Sequence, residues 1–299
     1  RAWINEGVIA PDEPIPPHPG EHWAYQKTVR PPVPAVKNPV WVSNVLDQFI
    51  AASHDQGGLT PVPEAAPEVL LRRVYLDLIG LPPTHEQLIA FLNDKSPGAY
   101  EREIDRLLNS PQYGERWGRH WMDVWRYSDW SGFGQELRYS QRHIWRWRDW
   151  IIESLNDDKG YDCMIQEMLA ADELHPGDEN AIRATGFLAR NWYKFDRNVW
   201  LDDVVEHTSR ALMGVTMRCA KCHDHKYDPF TMRDFYSFGA FFADIDDEDH
   251  IRDPYGGLNT TPTRRSPEMR VMTDERRIRE QQIASEIEQS QQLIEIAIK

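Results

Sequence analysis

Cys219-Ala220-Lys221-Cys222-His223 places two thiols and an imidazole within five residues, and that spacing restricts what the rest of the chain can fold around. Two cysteines three residues apart can add to the two vinyl groups of a haem, while the adjacent histidine reaches the iron as an axial ligand. On this reading Cys219 and Cys222 hold a single covalent c-type haem and His223 is its proximal ligand. Three readings compete with it. A structural zinc site usually draws ligand pairs from two separated segments, whereas here Cys222 and His223 are consecutive, His225 follows two residues on, and there is no second C-x-x-C. A thioredoxin-type dithiol needs a strand before the pair and a helix after it. Val204, Thr208, Leu212 and Val215 instead sketch a helix running into the cysteines. The third is a chance match in a chain with only three cysteines.

The ligand opposite His223 decides between chemistry and relay. A water-bound or free sixth position favours reaction with a small molecule, and His or Met ligation favours electron transfer. His207 is the leading candidate, but it precedes His223 by 16 residues, about 24 Å along an unbroken helix. It can cap the iron only if the chain doubles back near Gly214. Met213, Met217, Met232, His225 and His250 are further candidates. Asp244-Ile245-Asp246-Asp247-Glu248-Asp249-His250 is dense in hard oxygen ligands, so calcium is weighed there. Asp249 occupies the sixth position, where an EF-hand turn needs Gly, and a solvated acidic loop is the competing reading.

Acidic residues outnumber basic ones 48 to 34, for a formal net charge of −14. This argues against nucleic acid or an anionic membrane as the main partner. No apolar run approaches the length of a membrane span. The opening Arg1-Ala2-Trp3-Ile4-Asn5-Glu6 lacks a signal pattern, so a targeting segment is expected upstream. With Cys219 and Cys222 committed, Cys163 stands alone, and the chain is no disulfide scaffold.

The rest of the sequence reads as mostly α. Residues 1–39 hold nine of the 21 prolines, including Pro16-Pro17 and Pro31-Pro32-Val33-Pro34, and are expected to form an extended connector. Apolar residues then recur at helical spacing: Val42, Val45, Leu46 and Phe49; Leu70, Val74 and Leu78; Ile104, Leu107 and Leu108. Thr84 with Gln87 has the form of a capping box opening a helix through Leu88, Phe91 and Leu92. Trp117, Trp121 and Trp125 share one helical face, as core packing or as cofactor lining. The Ser128–Gly134 stretch breaks to a loop, a second helix begins near Gln141, and another runs from about Thr231 to Phe242. Asp123 and Tyr127 are i, i+4 neighbours, a structural hydrogen bond or a proton-transfer pair. From Thr273 to Lys299, Ile278, Ile283, Ile287 and Ile294 fall on a loose helical period that reads as an exposed or coiled-coil helix. Asn259-Thr260-Thr261 is formally a glycosylation acceptor.

Several stretches together resemble the planctomycete cytochrome-c-like family, whose central module is catalogued as a domain of unknown function. They are Ile79-Gly80-Leu81-Pro82-Pro83-Thr84, Tyr113-Gly114-Glu115-Arg116-Trp117, residues 119–129, Ala171-Asp172-Glu173-Leu174, Ala184-Thr185-Gly186-Phe187 and, most specific, residues 219–229 from Cys219 to Pro229. The resemblance implies secretion, a redox role and a neighbourhood of polysaccharide-degrading enzymes, and hence a carbohydrate as a candidate substrate. It implies no established reaction.

The expected architecture is a mostly α protein. Residues 1–39 are the Pro-rich connector, 40–255 an irregular multi-helix haem-c module, and 256–299 a linker and charged helix leading to a further domain. The expected function is a haem redox module of a secreted, periplasmic or extracellular oxidoreductase. It passes electrons between a substrate and another haem domain or a small electron carrier. A pure electron-transfer cytochrome and a metal-stabilised scaffold, oligomerising through the C-terminal helix, are the alternatives. Asp123, Tyr127, His225 and Asp228 are the candidates for proton handling or for orienting the ligating histidine.

Overall fold

The computed structural model describes residues 19–128, 143–189, 197–245 and 274–298. Pro16-Pro17, most of the Ser128–Gly134 loop, Trp130, Gln141, residues 246–250 of the acidic run including His250, and Asn259-Thr260-Thr261 lie outside the described residues. The described chain is helical, with no strand. The longer helices are α1 (Val45–Gly57), α2 (Pro67–Leu78), α3 (His85–Asn93), α4 (Ala99–Leu108), α5 (Pro111–Val124), α6 (Trp145–Asn156), α7 (Tyr161–Leu174), α8 (Arg197–Thr208), α9 (Met232–Ala240) and α10 (Asp274–Ile298). No helix among the described residues is long and apolar enough to cross a membrane.

The chain divides into two compact units, the first within residues 1–116 and 215–238 and the second within 117–214 and 239–299. In the first unit, helix starts are chemically marked. Asn44 and Asp47 exchange side-chain and backbone hydrogen bonds in front of α1. Thr84 and Gln87 do the same before α3, as the sequence predicts. Each device satisfies amide groups that a helix start leaves without intrahelical partners. The core of α2, α3 and α4 is Leu71, Val74, Tyr75 and Leu107, with Leu78, Ile79, Leu88, Phe91, Tyr100 and Ile104 packed against them. Fully burying one such side chain stabilises by roughly 1.5–3 kcal/mol.

The second unit is built on tryptophan. Trp125, Trp147 and Trp150 are almost fully buried, as are Ile151, Met168, Val204 and Val205. Trp121 stacks on Trp125 with ring centroids 5.0 Å apart and also meets Tyr161. Burial is graded along the three-Trp face: Trp125 is 1 % exposed, while Trp117, which meets His120, is 36 % exposed. Gly186 lets two elements approach closely: a Cβ there would lie 2.5 Å from Cβ of Trp147. Trp150 Nε1 donates to Glu167 at 3.0 Å, and Lys159 pairs with the same carboxylate at 2.7 Å, so this buried acid is both neutralised and hydrogen-bonded.

Two sequence expectations need correcting. α5 ends at Val124 and the chain turns at Arg126, whose φ is +61°. The Tyr127 amide bonds back to the Met122 carbonyl at 2.8 Å, the signature of a helix terminus. Asp123 and Tyr127 therefore are not neighbours on one helical face. The helix expected to run into the cysteine pair also stops early. α8 passes into a single π-helical turn, Ser209–Met213, which ends at Gly214 with φ +68°, a conformation open to Gly without a Cβ penalty.

Candidate functional site

After Gly214 the first unit's segment 215–238 folds back on itself around the cysteine motif. Met217 and Ala220 are buried and root it. Between them begins a short 3-10 turn, Arg218–Lys221, in which the Cys222 amide bonds to the Cys219 carbonyl at 3.2 Å and the His223 amide to the same oxygen at 3.4 Å. One tight turn thus carries both sulfurs and the imidazole. Cys219 and Cys222 are free thiols, and they and His223 are exposed.

The orientation of His223 is fixed by its neighbour. Its Nδ1 lies 2.8 Å from the Asp224 carbonyl oxygen. A carbonyl can only accept, so Nδ1 carries the proton and the lone pair is on Nε2. The Asp224 carboxylate in turn accepts the amide of Met232, the first residue of α9, at 2.8 Å. From the far side Tyr236 of α9 donates its hydroxyl to the Lys221 carbonyl at 3.1 Å. Thr231 and Asp234 form a reciprocal cap over the start of α9, and Phe235 is buried. The motif is therefore held on a capped helix rather than left in a free loop.

His225 has the opposite tautomer. Its Nδ1 accepts from the amides of Asp228 at 2.8 Å and Tyr227 at 3.3 Å, so the ring proton sits on Nε2. Its own amide bonds to the Phe230 carbonyl at 2.8 Å, closing the 225–230 loop. Asp228 Oδ2 also approaches His225 Nδ1, at 3.2 Å. With Nδ1 already an acceptor for the Asp228 amide, that approach is a contact and not an ion pair. Asp228 Oδ1 accepts from the hydroxyl of Tyr25 at 2.9 Å, and the Tyr25 ring meets Phe230 edge-on at 6.0 Å. Burial, then the hydrogen bond to Asp228 and its charge, push the Tyr25 hydroxyl pKa upward.

The structure brings together Cys219, Cys222 and His223, and beside them His225 and Asp228. His207, Asp123 and Tyr127 belong to the second unit. His207 is half-buried in the last turn of α8, Asp123 is exposed on α5, and the half-buried Tyr127 ring packs on Trp147 at 5.7 Å. Of the methionine candidates, Met217 is buried and Met213 and Met232 are exposed. Cys163 is exposed on α7. Sequence reasoning missed Asp224, Tyr236 and Tyr25. Thr231-x-x-Asp234 was a readable capping pattern, while the Tyr25 contact leaves no local trace. It also missed a run of buried polar side chains at the end of α8, Asp203, Glu206, Thr208 and Ser209.

The donor set can be tested against each group the motif implies. A zinc site needs converging ligands, and among the described residues no three His, Cys, Asp or Glu side chains come together in a way that could hold an ion. A c-type haem asks for two free, accessible thiols and one imidazole with a bare nitrogen, which Cys219, Cys222 and His223 Nε2 supply. Tyr236, whose hydroxyl bonds to the Lys221 carbonyl of this turn, is 56 % exposed. The residues fit haem.

Residues 45–247 match the model of a family described as PSCyt2, protein of unknown function (DUF1549). No curated protein and no solved structure matches the chain.

Proposed function

The chain belongs to the PSCyt2 family of proteins of unknown function, and from that premise we propose that it is a haem-c redox module. Cys219 and Cys222 hold one haem, His223 is its axial ligand, and the module serves a periplasmic or extracellular oxidoreductase. It passes electrons between a substrate and another haem domain or a small carrier. The family resemblance favours a carbohydrate as that substrate. One observation carries the reading: His223 donates from Nδ1 to the Asp224 carbonyl, on the same turn as two free exposed thiols.

When bound, haem supplies a one-electron centre whose potential follows its ligands and their hydrogen bonds. The chain's own contribution is orientation. The Asp224 carbonyl accepts the hydrogen bond from His223 Nδ1–H and makes Nε2 the more basic ligand atom. Asp224 and Tyr236 tie the turn to both ends of the first turns of α9. His225 and Asp228 keep the following loop closed.

Haem staining after denaturing electrophoresis, with a pyridine haemochrome spectrum, tests the proposal on the full chain produced in a host with a haem-attachment apparatus. One haem per chain is expected, lost in the Cys219→Ser/Cys222→Ser double variant. Colourless protein with stoichiometric zinc would overturn it. A ligand-exchangeable iron would favour the enzyme, and a low-spin, cyanide-inert iron the pure electron relay.

A further inference from the structure

Residues 79–84 and 113–117, two stretches to which the redox reading gives no role, meet at one contact in the first unit. Gly80 follows the end of α2 with φ +73°, a left-handed turn that suits Gly, and the Arg116 side chain lies across its bare α-carbon. A Cβ on Gly80 would stand 2.9 Å from Arg116 Cδ and 3.4 Å from Nε. The stem of Arg116 is thus seated on backbone, which fixes where the guanidinium begins.

That guanidinium has no counter-charge. Arg116 is half-buried, its Nε is shielded from water, and among the described residues Nε has no acceptor and no carboxylate pairs with the side chain. At the spacings where side chains on one helix meet, Arg116 has Gln112, Tyr113, Arg119 and His120, none of them an acid. Half-buried arginines elsewhere in the chain are occupied: Arg148 pairs with Asp149, Arg183 with Glu153, and Arg146 lies over the Trp145 ring. Packing alone does not account for Arg116, because a stem that only covered Gly80 would carry no charged donor to strip of water. The C-terminus of α2 is partly negative and favours a cation beside Gly80, yet it brings no acceptor to Nε.

We propose that Arg116 is an anion site, whose terminal nitrogens Nη1 and Nη2 take two oxygens of a carboxylate, sulfate or phosphate group on a ligand of the first unit. The planar fork of a guanidinium matches such a pair of oxygens, and a stem held on Gly80 gives the fork a set direction. In a chain with 48 acidic residues against 34 basic ones, the acid missing from this cation is supplied by the ligand. The site does not depend on haem.

Nuclear magnetic resonance of the Arg116 Nε–H, in the full chain labelled with nitrogen-15 at arginine, tests it. Arg116→Lys lacks this signal and so assigns it. Sodium sulfate, phosphate and acetate are each titrated against chloride at constant ionic strength. A saturable shift of the Arg116 signal is expected with at least one of them, half-complete at about 1–10 mM, and the tightest of the three identifies the group. Arg116→Met keeps the stem and removes the fork. It is expected to retain the helical circular dichroism and to lose the rise in melting temperature that about 10 mM of the binding anion gives the parent chain. A signal that moves no further with any of the three anions than with chloride, or an equal rise in melting temperature in Arg116→Met, overturns the proposal.

Discussion

The hydroxyl of Tyr25 donates a 2.9 Å hydrogen bond to Asp228 Oδ1, joining residues 203 positions apart. It pins the Pro-rich N-terminal segment to the loop that follows His223. Burial, the hydrogen bond and the Asp228 charge all favour the neutral phenol, so the folded pKa lies above the ordinary tyrosine value of 10.0. A raised folded pKa adds stability that is fully present below the unfolded pKa and is lost as pH rises through the folded one. Tyr25→Phe should therefore cost about 1 kcal/mol at neutral pH, a typical net hydrogen bond. It should also remove one of the tyrosines that titrate above the ordinary value. Ultraviolet difference titration and thermal melting check both; an unchanged alkaline limb would show that Tyr25 is not held this way.

Asp224 links two functions through different atoms. Its carbonyl accepts a hydrogen bond from His223 Nδ1 and its carboxylate accepts from the Met232 amide at the start of α9. Asp224→Ala should cost about 1 kcal/mol, the usual net worth of one hydrogen bond, and Asp224→Asn only a few tenths, since its side-chain oxygen can still accept from Met232. Melting curves of the two variants decide it. Equal losses in both would mean that the carboxylate acts through its charge rather than as a hydrogen-bond acceptor.

How much of this was readable from the chain depends on how far each interaction reaches. The Thr84–Gln87 cap is local, and the structure has it. Thr231 with Asp234 is the same four-residue device with Asp in place of Gln. Spacing alone could not give the opposite tautomers of His223 and His225, because each depends on which backbone group the turn delivers to Nδ1. The Asp123–Tyr127 pairing failed on one residue. Its logic required a helix through position 127, and Arg126 turns left-handed at a site where Gly is the usual choice. The difference in burial along the tryptophan face, from Trp117 to the buried Trp125, is a tertiary outcome that periodicity does not encode.

Acid should act through the caps. The backbone amide and hydroxyl of Thr231 hold Asp234 below the usual carboxylate range, and the amides of Ala181 and Asn180 do the same for Asp178. A depressed folded pKa adds stability that is present above the unfolded value and lost as pH falls through the folded one. Melting temperature should therefore fall below roughly pH 4. Asp234→Asn should keep most of the neutral-pH stability, since its side-chain oxygen can still accept from Thr231 without titrating, and should flatten part of the acid limb. An acid limb identical to that of the parent chain would rule out the cap as its source.

Gly186 is a packing requirement rather than a flexible point. Any Cβ added there meets Cβ and Cγ of Trp147 at 2.5 and 2.8 Å, atoms close to the backbone of a buried residue that cannot swing aside. Overpacking of this kind costs typically 1–3 kcal/mol. Gly186→Ala should thus lower the denaturation midpoint in urea despite Ala's better helix propensity, and near-ultraviolet circular dichroism should report a disturbed tryptophan environment. A neutral or stabilising result would mean that the short turn beside α6 can move.

The end of α8 holds polar atoms that find no hydrogen-bond partner among the described residues: Thr208 Oγ1, in a residue only 2 % exposed, and Glu206 Oε2. A buried hydroxyl without a partner has given up water and received nothing in return, a loss of about 1–3 kcal/mol. Thr208→Val keeps the β-branched shape and removes only the stranded polar atom, so it should stabilise the protein by about 1 kcal/mol. Glu206 differs. Its other oxygen lies 3.5 Å from Arg210, so truncation would leave that guanidinium without its acid, and Glu206→Leu should not give the same gain. If calorimetry finds Thr208→Val destabilising, the hydroxyl has a hydrogen-bond partner, such as a buried water, and the π-helical turn that follows it is the place to look for it.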